Sequence, residues 1–213
     1  ESTWTSQSMK VAGEYTFEAP PEKVWDGLMN PEVMAATMPG AEKLELVGEN
    51  QYESDLNIKV GPVQGKFRGR IELENIDPPN GYTMKVDGQG PQGFVKATAR
   101  IEVAAAGNGT RMTYDGDAHV GGRIASVGQR LVESAAKAII KQSLEGLNAT
   151  LKAQIAAEAA GGDPLATPEI AAASTTEFAA RVTKEVAKDL VPTPVWIVAG
   201  VLLLLFILYL ILG

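Results

Sequence analysis

The sequence predicts an α+β fold: a run of antiparallel strands, one long helix after them, then a linker and a single C-terminal transmembrane helix. Three observations carry this reading. Apolar and polar residues alternate at period two from Met9 to Val120, the signature of strands with one face buried and one wet. From Arg123 to about Ala157 the period lengthens to roughly 3.6, that of a helix. Finally, Val195 to Leu212 run for roughly 18 residues without a charge, a rise of about 27 Å as a helix and close to a bilayer's hydrocarbon thickness.

Residues 1–8 have no periodicity and are set aside as a leader or a remnant of expression, which places the domain at 9–158. In the first strand Val11, Gly13, Tyr15 and Phe17 alternate with Lys10, Ala12, Glu14, Thr16 and Glu18. Pro20 and Pro21 then open a short helix over Glu22 to Leu28, with Val24, Trp25 and Leu28 at helical spacing, and Pro31 opens a second that reaches about Thr37. A hairpin follows. Tyr52, Leu56, Ile58 and Val60 form one inner face, Gly61-Pro62 turns the chain, and Val63, Gly65, Phe67, Gly69, Ile71 and Leu73 form the other. Pro78-Pro79-Asn80-Gly81 makes the next turn, before a strand with Tyr82, Met84, Val86, Gly88 and Gly90 inward. Val95, Ala97, Ala99, Ile101 and Val103 lead to the Gly107-Asn108-Gly109 turn, and Met112, Tyr114, Gly116, Ala118 and Val120 close the series. On the long helix Ile124, Val127, Leu131, Ala135, Ala138 and Gln142 share a face, with Ile139, Leu147 and Leu151 beside it.

Gly161-Gly162-Asp163-Pro164 ends the domain and starts an alanine-rich linker assigned to 159–194. Within it Ser174-Thr175-Thr176-Glu177 reads as a capping box for a helix over about 175–190, with Phe178, Val182, Val186 and Leu190 four residues apart. That narrow stripe is either a solvated spacer or a surface for a partner or the membrane. The anchor is placed at 195–212, with Trp196 and Tyr209 near its two ends and Pro192 and Pro194 outside it. Arg181, Lys184 and Lys188 upstream agree with a positive-inside orientation, and no signal-peptide pattern is visible. The expected location is the cytoplasmic face of the cell membrane, with a single-pass C-terminal anchor.

Composition narrows the chemistry. The chain has no cysteine, which removes disulfides, thiolate nucleophiles and sulfur-ligated metals, and only one histidine. Its formal charge of −7 argues against nucleic acid. The basic stripe Lys66, Arg68 and Arg70 is interrupted by Glu72 and Glu74, so it suits an acidic protein partner better than a phosphate backbone. Asp115, Asp117 and His119 share one strand face, but at about 6.6 Å per two residues they span too far for one metal and read as a solvated face. Gly88-Gln89-Gly90 lacks the strand, turn and helix context of a dinucleotide site, and no Gly-x-Ser-x-Gly occurs. Neither a catalytic residue nor a metal site is assigned.

The inward residues point instead to a neutral, lipophilic ligand, because almost all are apolar and no charge is placed deep inside. Glycine recurs there, at Gly65, Gly69, Gly88, Gly90 and Gly116, and either leaves volume for a guest or permits sheet curvature. The flexible thioethers of Met29, Met34, Met38, Met84 and Met112 suit either an adaptable site or ordinary core filling. The proposed lining takes Tyr15 and Phe17 from the first strand and Trp25, Leu28, Met29, Met34 and Met38 from the two short helices. The hairpin adds Leu56, Ile58, Phe67, Gly69 and Ile71, and the later strands add Met84, Val86, Phe94, Ala97, Met112, Tyr114 and Gly116. Ile124, Val127, Leu131 and Ala135 complete it from the helix, and Tyr15, Tyr52, Tyr82 and Tyr114 offer hydroxyls to a carbonyl head group. Leucine at Gly69 or Gly116 is expected to fill the cavity.

Strand, two short helices, antiparallel strands and one long final helix is the order of the START-like helix-grip fold, in which a curved sheet wraps the last helix around a cavity. The resemblance extends to particular residues: Gly13-Glu14, Ala19-Pro20-Pro21-Glu22-Lys23-Val24-Trp25, Asn30-Pro31-Glu32-Val33, Pro39-Gly40, Val60-Gly61-Pro62-Val63, Ile76-Asp77-Pro78-Pro79, Gly88-Gln89-Gly90, Gly93-Phe94 and Val120-Gly121-Gly122. In this order and spacing, from Met9 to about Gln154, the chain resembles the CoxG family of carbon monoxide dehydrogenase proteins. Thr37-Met38 stand where family members often carry a cysteine and an isoleucine. The resemblance implies a non-catalytic accessory protein that brings a molybdenum-containing carbon monoxide dehydrogenase, or a related hydroxylase, to the membrane lipid bilayer. Joined to an apolar cavity and a tether, it implies an isoprenoid quinone of the menaquinone type as a carried ligand, with no covalent cofactor. The alternatives are a recruitment adaptor docked through the sheet surface or the stripe Phe178, Val182 and Val186, and a START-like cyclase or hydrolase.

Overall fold

The computed structural model describes residues 6–160. The proposed stripe of Phe178, Val182 and Val186, nearly all of the linker and the 195–212 anchor lie outside the described residues. Among the described residues no helix is long and apolar enough to cross a membrane.

The chain runs β1 (Ser6–Phe17), α1 (Pro21–Met29), α2 (Pro31–Thr37), β2 (Ala41–Gly48), β3 (Gln51–Val60), β4 (Val63–Asp77), β5 (Gly81–Gly90), β6 (Gly93–Ala106), β7 (Gly109–Gly121) and α3 (Gln129–Ala159). All seven strands join one sheet in the order β1-β7-β6-β5-β4-β3-β2, and every neighbouring pair is antiparallel. From β2 onward this is a meander, and β1 closes it by pairing with β7 along its whole length, from Ser6↔Gly121 to Phe17↔Thr110. Short turns enforce the pattern: at Gly61 the backbone takes φ 57, the left-handed conformation that lets β3 fold straight back onto β4.

Three features depart from the sequence reading. β1 begins at Ser6, three residues before the domain start placed at Met9, because Gln7 and Ser8 continue the ladder against Val120 and His119. β2 is an additional strand. Lastly, the long helix starts at Gln129 rather than Arg123. Ala125–Val127 form a separate 3₁₀ turn, and Gly128 at φ 96 breaks the chain before α3 because its carbonyl accepts from Val132 while its own backbone is outside the helical region.

α3 lies across the concave face of the sheet and holds it at two places. At one end Phe17, Val24, Leu28, Val33, Leu73, Tyr82, Ile101, Val103 and Met112 pack with Leu144, Leu147 and Leu151 of α3. At the other, Met9, Val60, Phe67, Ala118, Val120, Ile124 and Ala125 pack with Val132 and Ala135. The short helices sit down closely because two glycines admit them. A Cβ on Gly27 of α1 would come within 2.9 Å of Leu147 Cδ1, and one on Gly146 of α3 within 3.2 Å of Thr37 Cβ. Asn30 caps α2 by accepting from the backbone N–H of Glu32 at 2.9 Å and of Val33 at 3.2 Å.

Candidate functional site: an interior hollow under the helix

The core divides into two clusters, and the stretch of sheet and helix where they meet is the candidate site. Along α3 the buried residues are Val132 and Ala135, then Leu144, Leu147, Thr150 and Leu151. Between Ala135 and Leu144 lie about two turns, some 13 Å of helix, with nothing fully buried; Ala138 and Ile139 there are only half-covered. The sheet opposite supplies small residues in successive register rows. One row runs Ser54, Gly69, Gly88, Val95 and Val120; the next runs Tyr52, Ile71, Val86, Ala97 and Ala118; a third holds Met84, Ala99, Gly116 and Val11. Glycine, alanine and serine positions in these rows, Ser54, Gly69, Gly88, Ala97, Ala99, Gly116 and Ala118, are interleaved with larger side chains such as Tyr52, Ile71, Met84 and Val95 that pack against one cluster or the other.

The proposed lining residues divide accordingly. Phe17, Leu28 and Met112 are buried in the first cluster, with Tyr15, Trp25, Met29, Met34, Ile71, Met84 and Tyr114 partly buried against it. Phe67, Ile124 and Ala135 are buried in the second, with Ile58, Val127, Leu131 and Ala97 against it. Leu56, Val86 and Met38 are half-buried and packed into neither cluster, and with Gly69 and Gly116 they fall between the two. Phe94 departs from the proposed lining. The inward phase of β6 belongs to Val95, Ala97 and Ala99, whereas Phe94 pairs with Gln89 and Gly121 in the other phase and lays its ring against Gly121.

The glycines differ in how much room they leave. At Gly88 an added Cβ would meet only the Val95 carbonyl, at 3.6 Å, so its inward side is open. At Gly69 it would come within 2.8 Å of Ser54 Oγ, and at Gly116 it would collide with the Thr98 carbonyl and lie 2.7 Å from Ala99 Cβ. The expectation that leucine at Gly116 fills the hollow is therefore corrected: Gly116 is a close-approach position between strands, and Gly88 is the one that faces space.

Tyr82, Tyr15 and Tyr114 are each pushed above the ordinary phenol range. Burial pushes the Tyr82 hydroxyl far above its ordinary range, with the nearby Tyr52 adding to it. Tyr15 is raised by burial and then by Glu145 and Glu18, and Tyr114 is raised by burial. Tyr82 also stacks edge-on against Trp25 at 5.9 Å, which fixes α1 over the first cluster.

Sequence reasoning passed over Ser54, a polar residue in an inward phase of β3 between Tyr52 and Leu56; that interruption was the available signal. The outer face of the sheet holds a hollow of about 430 Å³ lined by Arg70, Glu72, Lys85, Asp87, Lys96 and His119, and Val86 and Ala97 of the proposed inner lining also border it. It is charged, and its cations are largely matched across strands, Arg70 with Glu53 at 3.1 Å and Lys96 with Asp87 at 3.2 Å. The rest of the basic stripe is matched too, Lys66 with Glu42 at 2.7 Å and Arg68 with Asp55 at 3.3 Å. Among the described residues no group of three His, Cys, Asp or Glu side chains is placed to hold a metal.

A curved antiparallel sheet gripping one long C-terminal helix over a mostly apolar interior defines a START-like helix-grip domain. The chain belongs to the carbon monoxide dehydrogenase G-subunit (CoxG) family, whose model matches residues 13–152. Among solved structures it is similar to a conserved protein from Geobacillus kaustophilus, with 33% identity over 68% of this chain and 97% of that one and a TM-score of 0.66. An aromatase/cyclase from Streptomyces matches at 16% identity over 74% and 100% of the two chains, TM-score 0.54. A protein from Thermus thermophilus matches at 17% over 68% and 98%, TM-score 0.51. The last two likenesses show the fold alone. No curated protein sequence matches the chain.

Proposed function

We propose that this chain is a lipid-quinone carrier: it holds an isoprenoid quinone of the menaquinone type in the hollow beneath α3 and moves it between the bilayer and a molybdenum-containing carbon monoxide dehydrogenase. The family name ties its members to carbon monoxide dehydrogenase, and electrons released by oxidising carbon monoxide need a lipid-soluble acceptor. The observation that carries the reading is the break in the core. Two apolar clusters meet across Gly69, Gly88 and Gly116 of the sheet, opposite two helical turns that bury nothing fully, and this supports an apolar guest seated there. The uncharged run at 195–212 supports a bilayer tether on the cytoplasmic side, which would keep the domain at high effective concentration near its lipid source. No carboxylate or histidine is assigned to the hollow, so the chain is read as a carrier rather than a cyclase.

The test is a titration of detergent-solubilised full-length protein with menaquinone-4. Gly88→Leu should keep the wild-type melting temperature and weaken binding at least tenfold. A folded Gly88→Leu variant that binds at full affinity would remove the hollow from the account.

The charged hollow on the convex face favours a second reading, a recruitment adaptor that docks the dehydrogenase on the sheet. Charge reversal at Lys85 and Lys96 should then abolish recruitment while Gly88→Leu leaves it intact; the opposite pattern rejects the adaptor.

A further inference from the structure

We propose that Ser54 is the hydrogen-bonding handle for an oxygen of the guest's head group, and so the residue that distinguishes a quinone from an oxygen-free lipid. The inference rests on the carrier reading and goes beyond it by naming a residue and an atom.

Four polar residues are buried among the described residues: Thr37, Ser54, Thr110 and Thr150. Three of them are satisfied by the chain itself. Thr37 donates to the Met34 carbonyl at 3.2 Å, Thr110 to Ala19 at 2.7 Å and Thr150 to Gly146 at 3.0 Å. Ser54 keeps only 3% of its surface, and its hydroxyl makes no hydrogen bond to any described group. Buried polar groups are nearly always paired, so an unpaired hydroxyl at an interior position asks for a partner. Its Oγ is also not sealed in the way that Gln7 Oε1 is, the one enclosed side-chain oxygen without a partner among the described residues.

Geometry says where that partner would sit. Ser54 is in the inward phase of β3, opposite Gly69, and its Oγ lies 2.8 Å from the position a Gly69 Cβ would take. The hydroxyl therefore leans across the concave face toward β4. Gly69 in turn pairs with Gly88, about 4.8 Å further across the sheet, where the inward side is open. A flat ring over the two glycines would bring a ring oxygen within reach of Ser54 Oγ.

A serine hydroxyl suits both redox forms of such a guest. It donates to a quinone carbonyl and, by rotating its hydrogen, accepts from the O–H of the quinol. The site gains one hydrogen bond with an oxygen-bearing ring and leaves the hydroxyl unpaired with a hydrocarbon, which is the asymmetry that gives a polar site its selectivity.

The experiment uses the full chain in detergent with two probes, menaquinone-4 and the naphthalene hydrocarbon of the same skeleton without its oxygens. Ser54→Ala should weaken menaquinone-4 binding about five- to tenfold, leave the hydrocarbon's affinity unchanged, and keep or raise the melting temperature of the ligand-free protein, since it deletes an unpaired hydroxyl. Equal menaquinone-4 binding by wild type and variant overturns the role of Ser54 and leaves the carrier reading standing. Equal weakening of both probes assigns Ser54 to shape alone, and a lower melting temperature shows that its hydroxyl is partnered within the protein; either also overturns the proposal. Failure of the wild type to bind either probe removes the carrier reading itself, and Ser54's role with it.

Discussion

Gly88 and Gly116 stand two strands apart, both in the inward phase, and only their surroundings tell them apart. Gly116 is pressed against the Thr98 carbonyl and Ala99, whereas Gly88 opens into space. Gly116→Leu should therefore unfold the domain or leave it aggregated, measured by circular dichroism, while Gly88→Leu stays folded. Leu147, fully buried between α3 and the short helices, marks the opposite case of a filled site; Leu147→Ala should cost about 2–5 kcal/mol in urea unfolding, more if the space fails to collapse. Tyr82 adds a pH signature. Its folded pKa is raised above the ordinary value of 10.0, so the native state keeps a proton that the unfolded chain gives up. The stabilisation is complete below about pH 10 and declines as pH rises toward the folded value. The urea midpoint should fall above pH 10 in the wild type, and Tyr82→Phe should flatten that fall.

Among the elements, α2 carries Met34 against the first cluster and is capped by Met38, which packs into neither cluster. Its start depends on a single cap, Asn30, so Asn30→Ala should lower stability by about 1 kcal/mol and loosen hydrogen-exchange protection in α2 before the sheet. Six strands and both short helices were legible in the sequence because each has one face that is consistently covered. β2 was not. It is an edge strand in which only Ala41 and Leu44 are even partly covered, Leu46 and Val47 are exposed, and its register slips twice against β3, so alternation has no buried face to report. The start of α3 was misplaced for a related reason. Ile124 and Val127 do pack into the second cluster, but from a 3₁₀ turn, and a spacing of three residues fits that turn as well as a helix. Phe94 shows the limit of composition: an aromatic residue at the start of β6 reads as inward, although its phase is opposite to that of Val95. Ser54 was legible only in retrospect, as the one polar residue interrupting an apolar face. Which glycine has room depends on neighbours from other strands, and no spacing within one strand encodes that.

At the scale of the whole molecule, the fold grips one long helix over a core that breaks into two clusters, and an uncharged run proposed as the tether lies roughly 35 residues downstream of α3. Removing residues 195–212, the proposed tether, should shift the protein from the membrane pellet to the soluble fraction while menaquinone-4 affinity in detergent stays the same, because the proposed ligand site lies wholly within residues 6–160. The central claim is that the hollow carries a quinone. It is tested most directly by native mass spectrometry, with solvent extraction and lipid analysis, on the full-length protein purified from its own host's membranes. The account predicts one isoprenoid quinone per chain that survives washing and is missing from Gly88→Leu; an empty protein, or a nonspecific mixture of membrane lipids equally present in the variant, would contradict it.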